Sequence, residues 1–229
     1  HGGDQVSAKV TEQSPEWARV SFVEQEQQNG TGHATLIGLS QLTGDGLDDT
    51  STVIVMPGDT PLLRAETIEA LVAAHEVSAN AATVLTAIVD DPTGYGRIVR
   101  GGDGLVMQIV EQRDATPDQA AIKEINTGIM AFRGNLLGAA LGQVSNDNSQ
   151  EEYYLTDTVE ILASMGHRVG SHTADAAETA GVNDRWQLAL AERELRARTN
   201  RYWLLNGVTM FDPRQTFIDI TVEIGQDVT

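Results

Sequence analysis

Apolar residues gather along the chain in short unalternating runs separated by helically spaced segments, and the run Val53-Ile54-Val55-Met56 orders the rest. Four apolar residues in succession, closed by Pro57-Gly58, predict a strand buried on both faces of a parallel sheet. Asp59 is left at its carboxyl end, the edge at which open α/β sheets bind ligands. Ahead of it, residues 1–16 are polar and turn-rich, with strand character only at 5–10, and residues 19–24 predict a short strand carrying Val20, Phe22 and Val23. The polar stretch 25–29 then meets Gly30-Thr31-Gly32-His33, which opens a helix predicted over 34–42. Residues 43–51 are expected to form a surface loop. After Pro61, Ile68, Leu71, Val72 and His75 recur at helical spacing with Glu66 and Glu69 facing away, so 65–77 is an amphipathic helix. The β-rich run 82–89 fits a second parallel strand after this crossover helix.

The pattern changes after Asp90-Asp91-Pro92-Thr93-Gly94-Tyr95-Gly96-Arg97. Ile98 and Val99 make a brief strand, 101–104 a tight turn and 105–111 a returning strand, which predicts an antiparallel lobe. Residues 115–119 read as a turn, 121–125 are ambiguous, and Asn126-Thr127-Gly128 precedes the apolar run Ile129-Met130-Ala131-Phe132. Helices are predicted over 136–144 and 151–165, around a polar loop at 145–149, and a last strand over 169–174. Residues 184–201 form a long charged helix in which Glu192 and Arg196 pair at i, i+4. Beyond Gly207 the recurring Val, Ile and Phe positions resemble the start of a solenoid of short parallel strands, whose single coil cannot bury its own face.

Composition narrows the functions this pattern can serve. With 33 acidic and 15 basic side chains the formal charge is −18, a field that disfavours nucleic acid and anionic membrane surfaces. Phosphorylated ligands meet the same field, so a phosphate substrate would call for a divalent cation. The chain has no cysteine, which removes disulfides, thiolate metal sites and a thiolate nucleophile. No apolar run approaches membrane-spanning length and no charged leader precedes one, so the expected location is cytoplasmic. Neither His1 nor Asp227-Val228-Thr229 looks like a natural terminus, and the chain is expected to be a fragment.

Candidate chemistry is sparse but placed. Asp59 is either a metal-binding or catalytic carboxylate or the former of an Asx-type turn before Pro61. A strand, a glycine-rich turn and a helix in that order put Gly30 and Thr31 where backbone N–H groups meet an anion or a nucleotide. His33 contacts a ligand or serves structure alone. Asn126 lies in a strand setting, where its amide must be paired by backbone or by ligand.

These stretches fall into one recognisable order. Gln25 with Asn29-Gly30-Thr31-Gly32-His33-Ala34, Pro57-Gly58-Asp59-Thr60-Pro61-Leu62-Leu63, Gly94-Tyr95-Gly96-Arg97-Ile98 and Ile109-Val110-Glu111-Gln112 open the set. Glu124-Ile125-Asn126-Thr127-Gly128, Tyr153-Tyr154-Leu155-Thr156-Asp157 and Gly181-Val182-Asn183-Asp184-Arg185 complete it. Together they resemble the bacterial bifunctional N-acetylglucosamine-1-phosphate uridyltransferase and glucosamine-1-phosphate N-acetyltransferase family, in its actinobacterial form. Gly207-Val208-Thr209-Met210 with Asp212-Pro213 resembles that family's junction into a left-handed β-helix.

The resemblance implies an α/β fold: a Rossmann-like nucleotidyltransferase sheet with an antiparallel lobe over 1–183, a helical arm over 184–206, and the first coil of a left-handed parallel β-helix over 207–229. It places Gln25, Gly30 and Thr31 on uracil, Gly96, Glu111, Asn126 and Thr156 on the sugar or its amide, and Asp59, also the catalytic carboxylate, with Asn183 on Mg2+. The implied reaction is attack by N-acetylglucosamine 1-phosphate on the α-phosphorus of UTP, giving UDP-N-acetylglucosamine and pyrophosphate. A homotrimeric parent would also acetylate glucosamine 1-phosphate with acetyl-CoA, in a role that serves peptidoglycan and cell-wall synthesis. The family's opening glycine-rich loop, with its arginine and Pro-Lys pair, has no counterpart in His1-Gly2-Gly3. Loss of such donors costs orders of magnitude in rate, so the expectation is a fragment with neither activity. The alternatives are a nucleotidyltransferase for another sugar 1-phosphate and a sugar-nucleotide-binding fragment without catalysis.

Overall fold

A computed structural model describes residues 2–42, 47–48 and 50–229, so residues 43–46 and 49 of the expected loop at 43–51 lie outside the described residues. The chain divides into two compact units, His1–Met56 with Glu66–Ala174, and Pro57–Ala65 with Asp175–Thr229.

The first unit is built on a six-stranded mixed sheet. Its strands are β1 (Thr52–Val55), β2 (Ala82–Ile88), β3 (Arg97–Arg100), β4 (Val106–Val110), β5 (Glu124–Arg133) and β6 (Val169–Thr173). The order is β4-β3-β5-β2-β6, with β1 pairing β5 beyond the stretch that meets β3. β5 is the spine: β1, β2 and β3 all run antiparallel to it, while β2 and β6 form a parallel pair. β2 is buried along almost its whole length, as its unalternating sequence requires.

The expected parallel setting of Val53-Ile54-Val55-Met56 is corrected by this arrangement. Val53 and Ile54 pair antiparallel with Phe132 and Ala131, and β1 is only half-buried. β1 and β2 nonetheless run in the same direction, because each is antiparallel to the β5 strand between them. A continuous apolar run reports burial but carries no information about the direction of its partner.

The hairpin β3–β4 is the predicted antiparallel lobe, closed where Gly104, at φ 81°, donates its N–H to the Gly101 carbonyl. Helices α3 (Ala65–Val77), α5 (Gly134–Leu141) and α6 (Asp157–Ser164) bury Leu71, Leu137, Val159 and Leu162. With Val84, Met130 and Phe132 from the sheet, the α5 and α6 side chains make one continuous core.

Three other expectations are corrected. Residues 5–10 belong to a helix, α1 (Gly3–Gln13): Val6 and Val10 are i, i+4 neighbours whose alternation also mimics a strand. Residues 19–24 form no strand: no ladder pairs with them among the described residues, and Val20, Phe22 and Val23 stay exposed. The helix predicted over 151–165 starts only at Asp157, because Tyr153 and Leu155 spend their backbone N–H groups on Asn29 and Thr31. The turn at 115–119 carries a single helical turn, α4 (Pro117–Ala120), fixed by a reciprocal cap between Thr116 and Gln119. The predicted helix over 34–42 is α2 (Thr31–Ser40), beginning at the glycine-rich turn itself.

The second unit is dominated by α7 (Arg185–Leu205). Asp184 caps it by accepting from the Gln187 N–H at 2.7 Å, and the expected Glu192–Arg196 pair is present at 3.5 Å. No strand is assigned among residues 206–229, but the backbone closes a circuit: Asp227 donates to the Gly207 carbonyl and Thr209 to that of Val228. Arg196 lies over the Phe217 ring at 4.2 Å, covering part of that circuit.

Phe132 is fully buried at the centre of β5. Phe132→Ala is expected to cost about 3–5 kcal/mol of stability in urea unfolding. Val77→Ala, at a position 87% exposed, should stay within about 0.5 kcal/mol of the parent.

Candidate functional site

The glycine-rich turn before α2 has a packing reason to be glycine. The Gly32 N–H donates to the Tyr153 carbonyl at 2.7 Å, the Tyr153 N–H to the Asn29 carbonyl at 2.8 Å, and the Leu155 N–H to Thr31 Oγ1 at 3.0 Å. A Cβ on Gly30 would stand 2.6 Å from the Tyr153 oxygen, and one on Gly32 2.9 Å from it. Gly30 also sits at φ 101°, ψ 175°, a region open essentially to glycine alone. Two backbones thus meet with nothing between them, and the junction takes up one of the donors that the first turn of α2 would otherwise leave unpaired, the Gly32 N–H.

Gln25 returns to this turn. Its Nε2 lies 3.3 Å from the Gly30 carbonyl and 2.8 Å from His33 Nδ1. Gln25, Gly30 and His33 are therefore one cluster, with Thr31 beside it and the His33 ring tilted against Tyr153 at 6.5 Å.

A second cluster forms across the lobe and β5. The Asn126 N–H donates to the Gly96 carbonyl at 2.9 Å. Thr156 Oγ1 donates to Glu111 Oε1 at 3.0 Å, and the Glu111 carboxylate lies so close that a Cβ on Gly96 would meet it at 3.4 Å. Gly96, Glu111, Asn126 and Thr156 are thereby assembled from the turn that enters β3, the residue after β4, β5 and the entrance to α6.

Asn126 is aimed by a bulge. Between the pairs Val84–Met130 and Thr86–Asn126 the register shifts, and Gly128 takes φ 80° to absorb the extra residues in β5. Thr127 Oγ1 donates to the Leu85 carbonyl at 2.7 Å, pinning the bulge. The Asn126 Oδ1 accepts from the Gly128 N–H at 3.0 Å, so backbone engages the oxygen of this amide and its nitrogen is the atom that can still donate.

Burial pushes the Glu111 carboxyl above the usual carboxylate range; the Thr156 hydroxyl and Arg97 pull it down, and Asp114 pushes it up. Asp157, in the first turn of α6, is raised to about 6 by burial first and then by Glu160, Glu111 and Asp114. Neither Asp157 nor Arg97 is among the sequence-derived site residues. Arg97, 1% exposed, donates to the Tyr95 and Ala120 carbonyls and to Gln112 Oε1, which also accepts from the Gly94 N–H. It holds the turn that carries Gly96 in place. An arginine opening an apolar strand directly after a Gly-Tyr-Gly turn is the signal that marks it.

In the second unit, Asp59 and Asn183 come together around Gly181. The Val182 N–H donates to the Asp59 carbonyl at 2.9 Å, and a Cβ on Gly181 would lie 3.3 Å from Asp59 Oδ2 and 3.9 Å from Asn183 Nδ2. Both side chains are exposed, and the Asn183 N–H is held by Gln187 Oε1 at 2.6 Å. One carboxylate and one amide supply two hard oxygen ligands, a donor set that suits a cation completed by water and phosphate. No group of three His, Cys, Asp or Glu side chains able to hold a metal occurs among the described residues. A cavity of about 870 Å³ on α7, lined by Arg193, Asn200, Arg201 and Arg214 among others, includes none of the sequence-derived site residues. No helix among the described residues is long and apolar enough to cross a membrane.

Comparison with known proteins identifies the family and the fold. The family described as "Nucleotidyl transferase" matches residues 4–204. Proteins named "Bifunctional protein GlmU" are 52% identical in Streptomyces avermitilis over 99% of this chain and 46% of their own length, and 49% identical in Corynebacterium efficiens over 100% and 46%. That of Halalkalibacterium halodurans is 47% identical over 99% of this chain and 48% of its own length. The chain thus spans about half the length of the relatives it matches. Among solved structures, a nucleoside-diphosphate-sugar pyrophosphorylase from Vibrio cholerae aligns with TM-score 0.54 at 16% identity, over 76% of this chain and 69% of that one. An apo UDP-glucose pyrophosphorylase aligns with TM-score 0.53 at 16% identity, over 76% and 62%. Both share its mixed α/β fold.

Gly30→Ala should lower stability by about 1–3 kcal/mol in urea unfolding, since it adds backbone strain to a close approach. For Asp157, the raised folded-state pKa means that stability is fullest at low pH and falls as pH rises through about 6. Asp157→Asn removes this loss, so its stability relative to the parent should grow between about pH 4 and pH 7. Urea midpoints measured across that range check the sign.

Proposed function

Because the chain belongs to the nucleotidyl transferase family, we propose that it carries the UTP and sugar-phosphate recognition elements of an enzyme that makes UDP-N-acetylglucosamine. The observation that carries this reading is the convergence of Gly96, Glu111, Asn126 and Thr156, the residues expected on an N-acetylated sugar. In this reading the free nitrogen of the Asn126 amide donates to the acetamido or hydroxyl oxygens, and Glu111 accepts from sugar hydroxyls while Thr156 holds its other face. Gln25, Gly30 and Thr31 take the uracil.

The oxygen atoms of Asp59 and Asn183 are assigned to Mg2+, which would offset phosphate charge and the protein's own field of −18. In the transfer, a phosphate oxygen of N-acetylglucosamine 1-phosphate forms the new bond to the α-phosphorus of UTP, and the bridging bond to the β-phosphate breaks to release pyrophosphate. The attacking group is already an anion, so the chain's residues need only bind, orient and neutralise. In the whole protein we assign acetylation of glucosamine 1-phosphate with acetyl-CoA, and assembly into a homotrimer, to sequence that this chain does not span. The product fits peptidoglycan and cell-wall synthesis in the cytoplasm.

Calorimetric titration with Mg2+ present should show binding of UDP-N-acetylglucosamine at least about tenfold tighter than UDP-glucose, the worth of one or two well-placed hydrogen bonds. Asn126→Ala should abolish the difference while leaving the fold intact by circular dichroism. Equal affinity of the parent chain for both sugars would overturn the assignment. Asp59→Ala should remove the Mg2+ dependence of UTP binding.

A further inference from the structure

Gln25 and His33 form a pair whose hydrogen bonds leave one atom of the amide unspent. The Gly30 carbonyl already accepts from the Ala34 N–H at 3.1 Å, and Gln25 Nε2 stands 3.3 Å from the same oxygen. A carbonyl can only accept, so the nitrogen of the Gln25 amide must face it; the flipped amide would set two oxygens against each other. The same Nε2 lies 2.8 Å from His33 Nδ1. With one N–H on Gly30, the other points at Nδ1, which must therefore be the accepting, unprotonated nitrogen, with the ring proton on Nε2. Both hydrogens of Gln25 are used, and Oε1 is left as a fixed acceptor.

We propose that His33 is a positioning residue that locks the Gln25 amide with its oxygen toward the ligand, and so sets the preference for a pyrimidine base that presents a ring N–H. Uracil has that donor at N3. Cytosine presents a bare acceptor at N3, which would face Oε1 oxygen-to-lone-pair with no hydrogen between them. The mismatch leaves two acceptors opposed in a half-buried setting, and polar mismatch of this kind discriminates more strongly than a missing contact. His33 is suited to the role because it starts from the first turn of α2, which the junction with Tyr153 and Leu155 holds rigid. Its ring also lies beside that of Tyr153, 6.5 Å between centroids.

The inference rests on the assignment of Gln25 to uracil, and the test separates the two. UTP and CTP affinities are measured by titration calorimetry with Mg2+ for the parent chain, His33→Phe and His33→Asn. Phenylalanine keeps a ring against Tyr153 but removes the acceptor; asparagine restores an acceptor close to the Nδ1 position. The parent should favour UTP over CTP at least about tenfold. His33→Phe should reduce that ratio toward one, chiefly by losing UTP affinity, and His33→Asn should recover most of it. Without ligand, the imidazole 15N spectrum of the parent should show His33 protonated at Nε2 only. If the parent discriminates but His33→Phe keeps the ratio, or weakens UTP and CTP equally, His33 does not set base preference. If the parent binds neither nucleotide or fails to discriminate, the uracil assignment fails and the positioning role falls with it. A proton on Nδ1 in the spectrum would overturn the amide orientation directly.

Discussion

The first unit depends on one close approach of backbone to backbone. Residues 29–32 and 153–155 exchange hydrogen bonds across a gap too narrow for any Cβ, and that gap exists only because positions 30 and 32 are glycine. On one side the contact fixes the start of α2 and with it Gln25, Thr31 and His33. On the other it sets the path into Thr156 and α6. Thr156 in turn holds Glu111, which stands against Gly96, whose carbonyl holds Asn126. The residues assigned to the base and those assigned to the sugar therefore belong to one continuous frame, and rigidity at the glycines becomes precision at both ends.

Charge is the second constraint. Glu111, Asp114, Asp157 and Glu160 influence one another's neighbourhood, and burial with mutual repulsion raises Glu111 and Asp157. Such an arrangement costs stability and is tolerated where it serves a ligand. Arg97 offsets part of this while forming no ion pair of its own among the described residues: its three hydrogen bonds go to neutral oxygens. The guanidinium works here as a buried scaffold for the Gly94-Tyr95-Gly96 turn.

Much of this was legible in the sequence because it is local. The span of α3, the β3–β4 hairpin and the long α7 follow from helical spacing and glycine punctuation. What sequence could not show was what pairs with what. The direction of β1 depends on β5, some seventy residues later, and 151–156 gave up a helix that its apolar spacing allowed because α2 takes its backbone donors. The site residues followed the same rule. Gly30, Gly96 and Asn126 could be singled out within their motifs, whereas Asp157 and Arg97, which lie in two of the same stretches, gain their weight from burial and neighbours in the folded chain.

The central claim is that base and sugar are read by one frame, and amide NMR on the 15N-labelled chain tests it most directly. Titration with UDP-N-acetylglucosamine should shift the amides of Gly30 and Thr31 together with those of Gly96 and Asn126, all along one saturation curve. Shifts confined to one set, or two sets saturating at different concentrations, would contradict it.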